Sequence, residues 1–447
     1  MPFRAEQGVL RGRVDWGMIV AVAGLVAAGS LAILSAASPL PMYGAILQKH
    51  FLAMGIGVAL FVFGLGFNYQ VYQDQSKVLY GLAVAMMVLV LGIGQVARGT
   101  KGWIHLGLFS FQPSELARIM SILVLANYLD RNASRAGTLR YALTAIAIVA
   151  PVMGLVLIEP DFSGAIPFFP IALGMLFCAG ASVVPLLAMG VCGLMTFGLV
   201  DLWTLMSIRP EWTANSVILT FLYQIQDFNL SLVAAIVGIC VATFAAWKLA
   251  AALRLNVHGL FFAAAGVILT VGLCMAIVFN HQLKGYQRDR FVAFLMPESN
   301  VQGAAYNVRQ AQIAIGSGGL WGKGVFSGTQ SRLGFVPERH TDFIYAVIGE
   351  EMGFLGAMFV LAMYLLLLWR IVHTARLSRD RYGYLVCCGM AATYGFYLVA
   401  NVGMCLGMMP VIGIPLPLVS YGGSSLAIAL FSLGIVANIY SRRYAFY

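Results

Sequence analysis

The sequence predicts an all-α polytopic membrane protein. Of its 447 residues, 61% are hydrophobic and only 10% are charged, which is far more apolar surface than a soluble domain can bury. Only helices and closed barrels satisfy backbone hydrogen bonds in lipid, and the long apolar runs lack the alternation of barrel strands. The chain is therefore expected to form a helical bundle in a single membrane domain, residues 1–447.

Twelve apolar segments are long enough to approach or span a hydrocarbon core about 30 Å thick. They cover residues 18–37, 51–67, 78–96, 113–129, 141–158, 165–178, 183–200, 230–247, 260–279, 343–368, 384–406 and 426–440. Residues 201–229 are less apolar and are expected to include a short helix at the membrane interface. A proline- and glycine-rich stretch, MMPVIGIPLPLVSYGGSS, precedes the last segment and predicts a broken or re-entrant backbone packed inside protein.

Basic residues set the predicted orientation. Clusters of Lys and Arg precede segment one, follow segments four, eight and ten, and end the chain. Twelve crossings place all of them on one side, which the positive-inside rule makes cytoplasmic together with both termini. The first segment is expected to serve as its own anchor, because no small-residue cleavage site follows it. Since the net charge of +10 resides largely in such loops, it does not indicate nucleic-acid binding.

A long polar loop at residues 280–342 falls on the outer side in this topology. Long loops translocate largely regardless of charge, so its basic residues need another explanation. Its glycine-rich text, IAIGSGGLWGKG, can turn backbone N–H groups towards phosphate with Lys323 adding charge, although on its own it favours a tight turn. His340 and Asp342 are expected to cap the following segment, and Glu350 or Glu351 to face a polar interior.

Two shorter outward loops add further charged groups. Glu115 and Arg118 are three residues apart on a predicted helix and can pair, as a structural fastening or as part of a site. Glu159 and Asp161 flank Pro160 and are interpreted first as caps of the next segment. Three such loops on one membrane face together predict a cavity for an anionic, lipid-attached substrate.

The seven cysteines lie in or at the ends of apolar segments and lack metal-ligand spacing. We interpret them as small packing residues.

Four long strings carry a resemblance to a known family. They are WIHLGLFSFQPSELAR, EPDFSG, the run from YNVRQAQIAIGSGG to IGEEMGFLG, and PVIGIPLPLVSYGGSS. On these the chain resembles the SEDS family of shape, elongation, division and sporulation proteins, bacterial polymerases that join lipid II into glycan strands. IAIGSGG, PERHTDFI and GIPLPLVSYGGS resemble its RodA branch more than its division branch.

The resemblance implies a family core of ten transmembrane segments, with an inserted pair at about residues 201–257 in this chain. It implies a large extracytoplasmic loop at 280–342 and a role in cell elongation and shape. By motif it assigns substrate binding to Arg98, Lys101, Gln112, Glu115, Arg118, Asp161, Arg309, Lys323, Glu338, His340, Asp342 and Ser420.

Two departures from the family pattern concern the chemistry. Gly102 stands where the family usually has an arginine, so that Lys101 or Arg98 is left to supply the charge. The family's catalytic aspartate falls on Asn300, in PESNVQGAAY. Asparagine cannot take the proton of an attacking hydroxyl. Three explanations stay open: Glu298 is the base, Asn300 orients the hydroxyl for another base, or the protein is catalytically impaired.

The resemblance also implies partners and a location. These are lipid II, a class B penicillin-binding protein that crosslinks the product, and the bacterial cytoplasmic membrane. A divalent cation, Mg²⁺ or Mn²⁺, is a candidate cofactor for the leaving pyrophosphate, with no ligand set assigned. The competing functions are a lipid II flippase, which needs a hydrophilic path through the bundle, and a non-catalytic scaffold.

Overall fold

The protein is described by a computed structural model. It describes residues 14–97, 100–107, 109–255, 258–283, 285–297, 303–335 and 338–443. The helices are α1 (Trp16–Ala37), α2 (Tyr43–Gly66), α3 (Tyr69–Asp74), α4 (Ser76–Ile93), α5 (Pro113–Arg131), α6 (Leu139–Ile158), α7 (Phe162–Ala165), α8 (Phe168–Cys178), α9 (Val183–Ile208), α10 (Pro210–Ala214), α11 (Val217–Gln224), α12 (Leu230–Ala252), α13 (Gly259–Gln282), α14 (Gly285–Leu295), α15 (Ala304–Ser317), α16 (Thr329–Arg332), α17 (Ile344–Glu351), α18 (Gly353–Leu377), α19 (Arg381–Cys405) and α20 (Gly423–Ser441).

Ten helices among the described residues are long and apolar enough to cross a membrane, which makes the protein multi-pass. They are α1, α2, α4, α6, α9, α12, α13, α18, α19 and α20. All twelve predicted segments are helical, but two fall short of that standard: α5 carries Glu115, Arg118, Asp130 and Arg131, and α8 has only 11 residues. The predicted segment 343–368 is divided at Gly353, where φ is +67°, so that α17 is separate from the spanning helix α18.

A small antiparallel sheet, which the all-helical prediction missed, connects α4 to α5. Its strands are β1 (Gln95–Ala97), β2 (Thr100–Leu106) and β3 (Phe109–Phe111), in the order β1-β2-β3. In the second hairpin His105 pairs with Ser110 across a short turn, in which Gly107 has φ +64°. The sheet leads the chain directly into Pro113, at the start of α5.

The chain divides into two compact units. The first comprises residues 1–182 and 307–447. In it α2 and α20 pack closely, because a Cβ at Gly434 would lie 2.4 Å from the Phe61 carbonyl oxygen; only glycine permits such an approach. Helix α19 packs against α5, α8 and α18, and it is largely buried.

The second unit comprises residues 183–306. Within it α9 packs on α13, and α13 packs on α12. The short helices α10 and α11 follow α9, and the indole N–H of Trp203 in α9 donates to the Leu222 carbonyl in α11 (2.7 Å). The short helix expected in residues 201–229 is therefore present as two helices, whose position at an interface stays a prediction.

The broken stretch before α20 is confirmed. Residues 406–422 contain no helix or strand, yet Ile414, Leu416 and Val419 are buried. Side chains supply hydrogen bonds that a helix would otherwise make: Asn401 Nδ2 donates to the Ile414 carbonyl (2.7 Å), and the Leu416 N–H donates to Ser420 Oγ (2.7 Å). Irregular backbone is stable at this depth because protein groups satisfy it.

Candidate functional site

The start of α5 carries the first group of predicted site residues. Gln112 is the N-cap, Pro113 takes the first helical position, and Glu115 lies in the first turn, where a negative charge is favoured by the helix dipole. The sheet and the proline thus fix where α5 begins. This position brings Gln112, Glu115 and Arg118 close to Asp161 and Tyr397, five residues that we call the acid–arginine cluster.

Arg118 is the centre of the acid–arginine cluster. Its side chain is buried, and its guanidinium donates to the Glu115 carboxylate and to the Tyr397 hydroxyl. The guanidinium carbon lies 5.0 Å from the centre of the Tyr397 ring. The predicted Glu115–Arg118 pair therefore exists as a buried three-residue contact, in which each charge is compensated by the other.

Asp161 completes the cluster from the α6–α7 connection. Its carboxylate accepts from Gln112 Nε2 (2.8 Å), and it caps α7 by accepting from the Gly164 N–H (2.9 Å). The capping role predicted for Asp161 is confirmed, and the same side chain also reaches the start of α5. One carboxylate therefore ties two elements of the site together.

Glu159 does not cap a helix N-terminus, so that part of the interpretation was wrong. It ends α6 as the C-cap residue, and its fully buried carboxyl group has no hydrogen-bond partner for either oxygen within the described chain. The carboxyl lies against Gly102 in β2, where a Cβ would be 2.7 Å from Glu159 Oε2. Burial, with the nearby Asp161 charge, raises the pKa of Glu159 to about 8.

A cavity of about 20 Å³ adjoins the acid–arginine cluster. That volume is enough for about one water molecule. Its wall includes Glu115, Arg118 and Tyr397, together with Pro417 from the broken stretch and Ser425 from the first turn of α20. Hydrophilic side chains from three helices, α5, α19 and α20, therefore converge on this cavity inside the bundle.

Helix α19 links the cluster to a second group of predicted residues. Asn401 lies one turn after Tyr397, and its Nδ2 donates to the Asp342 carbonyl (2.9 Å). The His340 carbonyl accepts from the Tyr421 N–H (2.9 Å), which follows buried Ser420. His340, Asp342 and Ser420 therefore meet where the end of the long polar loop contacts the broken stretch.

His340 and Asp342 do not cap α17, contrary to the prediction. The N-cap residue is Phe343, and no side chain makes a capping hydrogen bond there. Thr341 instead donates to the carboxylate of Glu338 (3.1 Å), in a turn where Glu338 has φ +46°. This turn, rather than a helix cap, shapes the end of the loop.

The glycine-rich text ends α15 and continues into a series of turns held by α17. We call residues 318–332, which include the short helix α16, the glycine turn. The N–H groups of Lys323 and Gly324 donate to the carbonyls of Glu350 and Glu351 (both 3.0 Å). Gly322 has φ +83°, and a Cβ there would lie 2.2 Å from the Glu351 carbonyl oxygen. Those two N–H groups are thus occupied within the protein.

Two buried carboxylates of α17, Glu350 and Glu351, accept hydrogen bonds that stabilise the glycine turn and its contact with α1. Glu350 accepts from Lys323 Nζ (2.9 Å) and from the N–H groups of Gln330 and Ser331 (2.8 and 2.9 Å). Glu351 accepts from the hydroxyl of Ser35 in α1 (2.6 Å). The expectation that at least one of the two acids faces polar groups is met by both.

The remaining predicted cationic residues differ in their hydrogen-bond partners. Arg309 is exposed on α15. Lys101 is exposed as well, and its Nζ donates to the Leu91 carbonyl near the end of α4 (2.9 Å). Arg98, Glu298 and Asn300 lie outside the described residues.

Sequence reasoning missed Tyr397 and Asn401, the two residues by which α19 contacts both groups. A signal was available, because YGFYLVANVG places Tyr394, Tyr397 and Asn401 at spacings of three and four in an apolar segment. Polar groups at that spacing share one helix face, and polar groups at membrane depth mark sites.

The described residues contain no group of three or more His, Cys, Asp or Glu side chains arranged to hold a metal ion. The acids of the acid–arginine cluster are committed to Arg118, Gln112 and the α7 N-terminus. These contacts give no fitted ligand set for a divalent cation in this part of the chain.

Comparison with known proteins gives consistent similarities over nearly the whole chain. The profile of the cell cycle protein family FtsW/RodA/SpoVE matches residues 14–227 and 204–445. Peptidoglycan glycosyltransferase RodA of Treponema pallidum is 31% identical over 438 residues, covering 96% of this chain and 98% of the relative. Peptidoglycan glycosyltransferase MrdB of Escherichia coli K12 is 30% identical, covering 84% and 80%.

Solved structures are similar in fold. A peptidoglycan synthase complex that coordinates polymerization and crosslinking contains a chain with a TM-score of 0.64 and 28% identity, covering 96% of this chain and 98% of that one. Rod shape determining protein RodA of Thermus thermophilus gives a TM-score of 0.59 at 26% identity, with 97% and 98% covered.

Proposed function

This chain belongs to the FtsW/RodA/SpoVE family of cell cycle proteins, and we infer that it is a peptidoglycan glycosyltransferase of the RodA type. The observation that carries the inference is similarity over almost the full length of peptidoglycan glycosyltransferase RodA, so that no large part of the relative is missing from the match. The activity belongs to cell elongation and shape maintenance.

The substrate we propose is lipid II, a disaccharide carried on undecaprenyl pyrophosphate. In each step the 4-hydroxyl oxygen of one sugar bonds to the anomeric carbon of another. The bond from that carbon to the pyrophosphate breaks with inversion, and the hydroxyl proton passes to a base. Cationic groups offset the charge that develops on the leaving pyrophosphate.

Arg309 and Lys101 are the cations best suited to the pyrophosphate, because both are exposed. Lys323 is engaged by Glu350, which favours a role in fixing the glycine turn. The acid–arginine cluster, whose side chains hold one another, then forms the rigid inner wall of the site together with Asn401, which is held by the Asp342 and Ile414 carbonyls. A divalent cation would supply further charge compensation, and no step of the proposal depends on it.

Glu298 is our candidate for the base, with Asn300 orienting the attacking hydroxyl. Glu298 is the carboxylate nearest in sequence to the position where the family has its aspartate. Loss of a general base typically lowers the rate about 10²- to 10⁴-fold. Substitution of the true base should therefore lower the rate of strand synthesis measurably.

We place the reaction at the outer face of the bacterial cytoplasmic membrane, with both termini cytoplasmic. The loop at residues 280–342 is then extracytoplasmic, as the basic clusters in the other loops require. A class B penicillin-binding protein is the proposed partner. The similarity to a chain of a complex that coordinates polymerization and crosslinking supports this pairing.

The deciding experiment gives labelled lipid II to the purified protein with its partner and measures glycan strands. Wild type is compared with Glu298→Gln, Asn300→Asp and a control, Asp289→Asn, which removes an exposed acid from the same loop. We expect strands from wild type and the control, and a loss of at least about 10²-fold in Glu298→Gln.

Other outcomes separate the competing functions. An inactive wild type beside an active Asn300→Asp variant would identify a non-catalytic scaffold. If no variant polymerises but lipid II crosses the membrane of protein-containing vesicles, the flippase function is supported instead. Full activity of Glu298→Gln would show that another group is the base.

A further inference from the structure

Two cysteines occupy facing positions where α8 contacts α19. These helices run antiparallel: a Cβ at Gly174 in α8 would lie 3.0 Å from Ala392 Cβ in α19, and Arg381, at the start of α19, donates to the Ala179 carbonyl just after α8 (2.7 Å). Cys178 lies one turn after Gly174, and Cys388 lies one turn before Ala392. Because i and i+4 share a helix face, this register places the two thiols opposite each other.

Side-chain contacts agree with that register. The side chains of Cys178 and Cys388 contact one another, and the hydroxyl of Tyr384, one turn before Cys388, contacts both. Both thiols are free and partly accessible, whereas the neighbouring Cys387 is fully buried. Successive helical residues are about 100° apart around the axis, so Cys387 points away from this contact.

We propose that Cys178 and Cys388 form a two-thiol modification site that closes into a disulfide in the presence of a peroxide-class oxidant. One thiolate attacks a peroxide oxygen, which gives a sulfenic acid and, after proton transfer, water. The second sulfur then attacks the sulfenic sulfur, forming the S–S bond and releasing a second water. The two thiols are thereby oxidised by two electrons, and the peroxide is reduced.

A disulfide needs Cα atoms about 4.4–6.8 Å apart. The two helices approach closely one turn away from the thiols, at Gly174 and Ala392, because small residues let helices pack together. The bridge would join α8 covalently to α19, the helix that carries Tyr397 and Asn401. This is a property of the resting thiol pair and does not depend on the proposed polymerase activity.

The test treats purified full-length protein with hydrogen peroxide, alkylates the remaining thiols, and identifies cross-linked peptides by mass spectrometry. We expect a peptide pair containing Cys178 and Cys388 that is lighter by two hydrogens than the reduced pair. The matched control, Cys387→Ser, should keep this cross-link, and Cys388→Ser should lose it.

A second probe needs no oxidation. Phenylarsine oxide, a trivalent arsenical that bridges two neighbouring thiols, should protect Cys178 and Cys388 from alkylation in wild type and in Cys387→Ser. The proposal fails if Cys178 and Cys388 stay fully alkylable under peroxide that oxidises the exposed Cys240 and Cys274. It also fails if the bridge forms to Cys387.

Discussion

Glu350 and Glu159 are both completely buried acids, yet their surroundings are opposite. Glu350 accepts hydrogen bonds from Lys323, Gln330 and Ser331, whereas the Glu159 carboxyl lies unbonded against Gly102 within the described chain. Burial by itself acts to raise the pKa of each carboxyl group. At Glu350 the hydrogen bonds from Gln330, Lys323 and Ser331 outweigh burial and hold the pKa below its ordinary value; at Glu159 the pKa rises to about 8.

The comparison shows that hydrogen-bond donors, rather than depth, decide whether a buried acid is charged. The consequence for stability has opposite signs. Because the pKa of Glu350 is lowered in the folded protein, its ionised carboxylate stabilises the fold at pH values above its ordinary pKa. This contribution is lost as the pH falls through the lowered pKa. A raised pKa means that the folded protein holds the Glu159 proton more tightly, so stability is lost as pH rises towards 8.

The largest expected effect comes from removing the bonded acid. Glu350→Ala leaves Lys323 without its carboxylate partner, although the Thr329 hydroxyl still accepts from it, and leaves two N–H groups of the glycine turn without an acceptor. We expect a loss of about 3 kcal/mol of stability, measured as a lower unfolding temperature of the detergent-solubilised protein. Glu211→Ala, which removes an exposed acid, is the control. Equal effects of the two would show that the turn is not held by Glu350.

The next largest effect is the loss of stability with rising pH that is expected from Glu159 and not from Glu350. Wild type should lose stability as pH rises from 4.5, the ordinary pKa, to about 8, by at most about 1.4 kcal/mol per pH unit. Glu159→Gln cannot ionise, so its unfolding temperature should exceed that of wild type increasingly between pH 6 and pH 9. Parallel curves for the two proteins would contradict an unbonded, titrating Glu159.

A smaller effect is expected from removing only the cation. Lys323→Met should cost about 1 kcal/mol, because a charged hydrogen bond is worth roughly 1.5–3 kcal/mol and the Lys323 side chain is 27% exposed. Lys101→Met is the matched control, since its ammonium donates to a backbone carbonyl, that of Leu91, at the surface. The unfolding temperatures of the two variants are compared at pH 7. A larger loss of stability in Lys101→Met than in Lys323→Met would contradict a stabilising role of Lys323.

The smallest effect comes from supplying a cation to Glu159. Gly102→Arg restores the charge that the family usually has, and the guanidinium can pair with the buried carboxylate once the carboxyl shifts to admit a Cβ. We expect the pH slope between pH 6 and pH 9 to become flatter than in wild type. Gly102→Ala, which adds the Cβ without charge, should keep the slope, and a steep slope in Gly102→Arg would exclude the pairing.

The helices were predictable because apolar length and composition determine them directly. All twelve predicted segments are helical, and the broken stretch before α20 was foreseen from its prolines and glycines. The sheet at residues 95–111 was not foreseen, because its strands are short and follow an apolar run without a clear alternation. The division of α17 from α18 depends on Gly353. No local sequence pattern predicted the positive φ of this residue.

Within the candidate site, local pairs were predictable and distant contacts were not. The Glu115–Arg118 pair and the Asp161 cap follow from spacings of a few residues. The contacts of Arg118 with Tyr397 and of Asn401 with Asp342 join residues far apart in the chain, so only the packing of α19 reveals them. Glu159 was misassigned for the same reason, because its environment is set by Gly102 of another element.

The glycine turn has a consequence for backbone amide exchange with solvent. Lys323 and Gly324 belong to a connection between helices, and Gln330 and Ser331 lie in the four-residue helix α16. Amide hydrogens in such connections and in the first turn of a helix usually exchange quickly, because they have no partner within a helix. Each of their N–H groups is nevertheless donated to Glu350 or Glu351, so exchange requires the turn to open. These four amides should therefore take up deuterium as slowly as those of a buried helix, in a segment whose Trp321 side chain is 77% exposed.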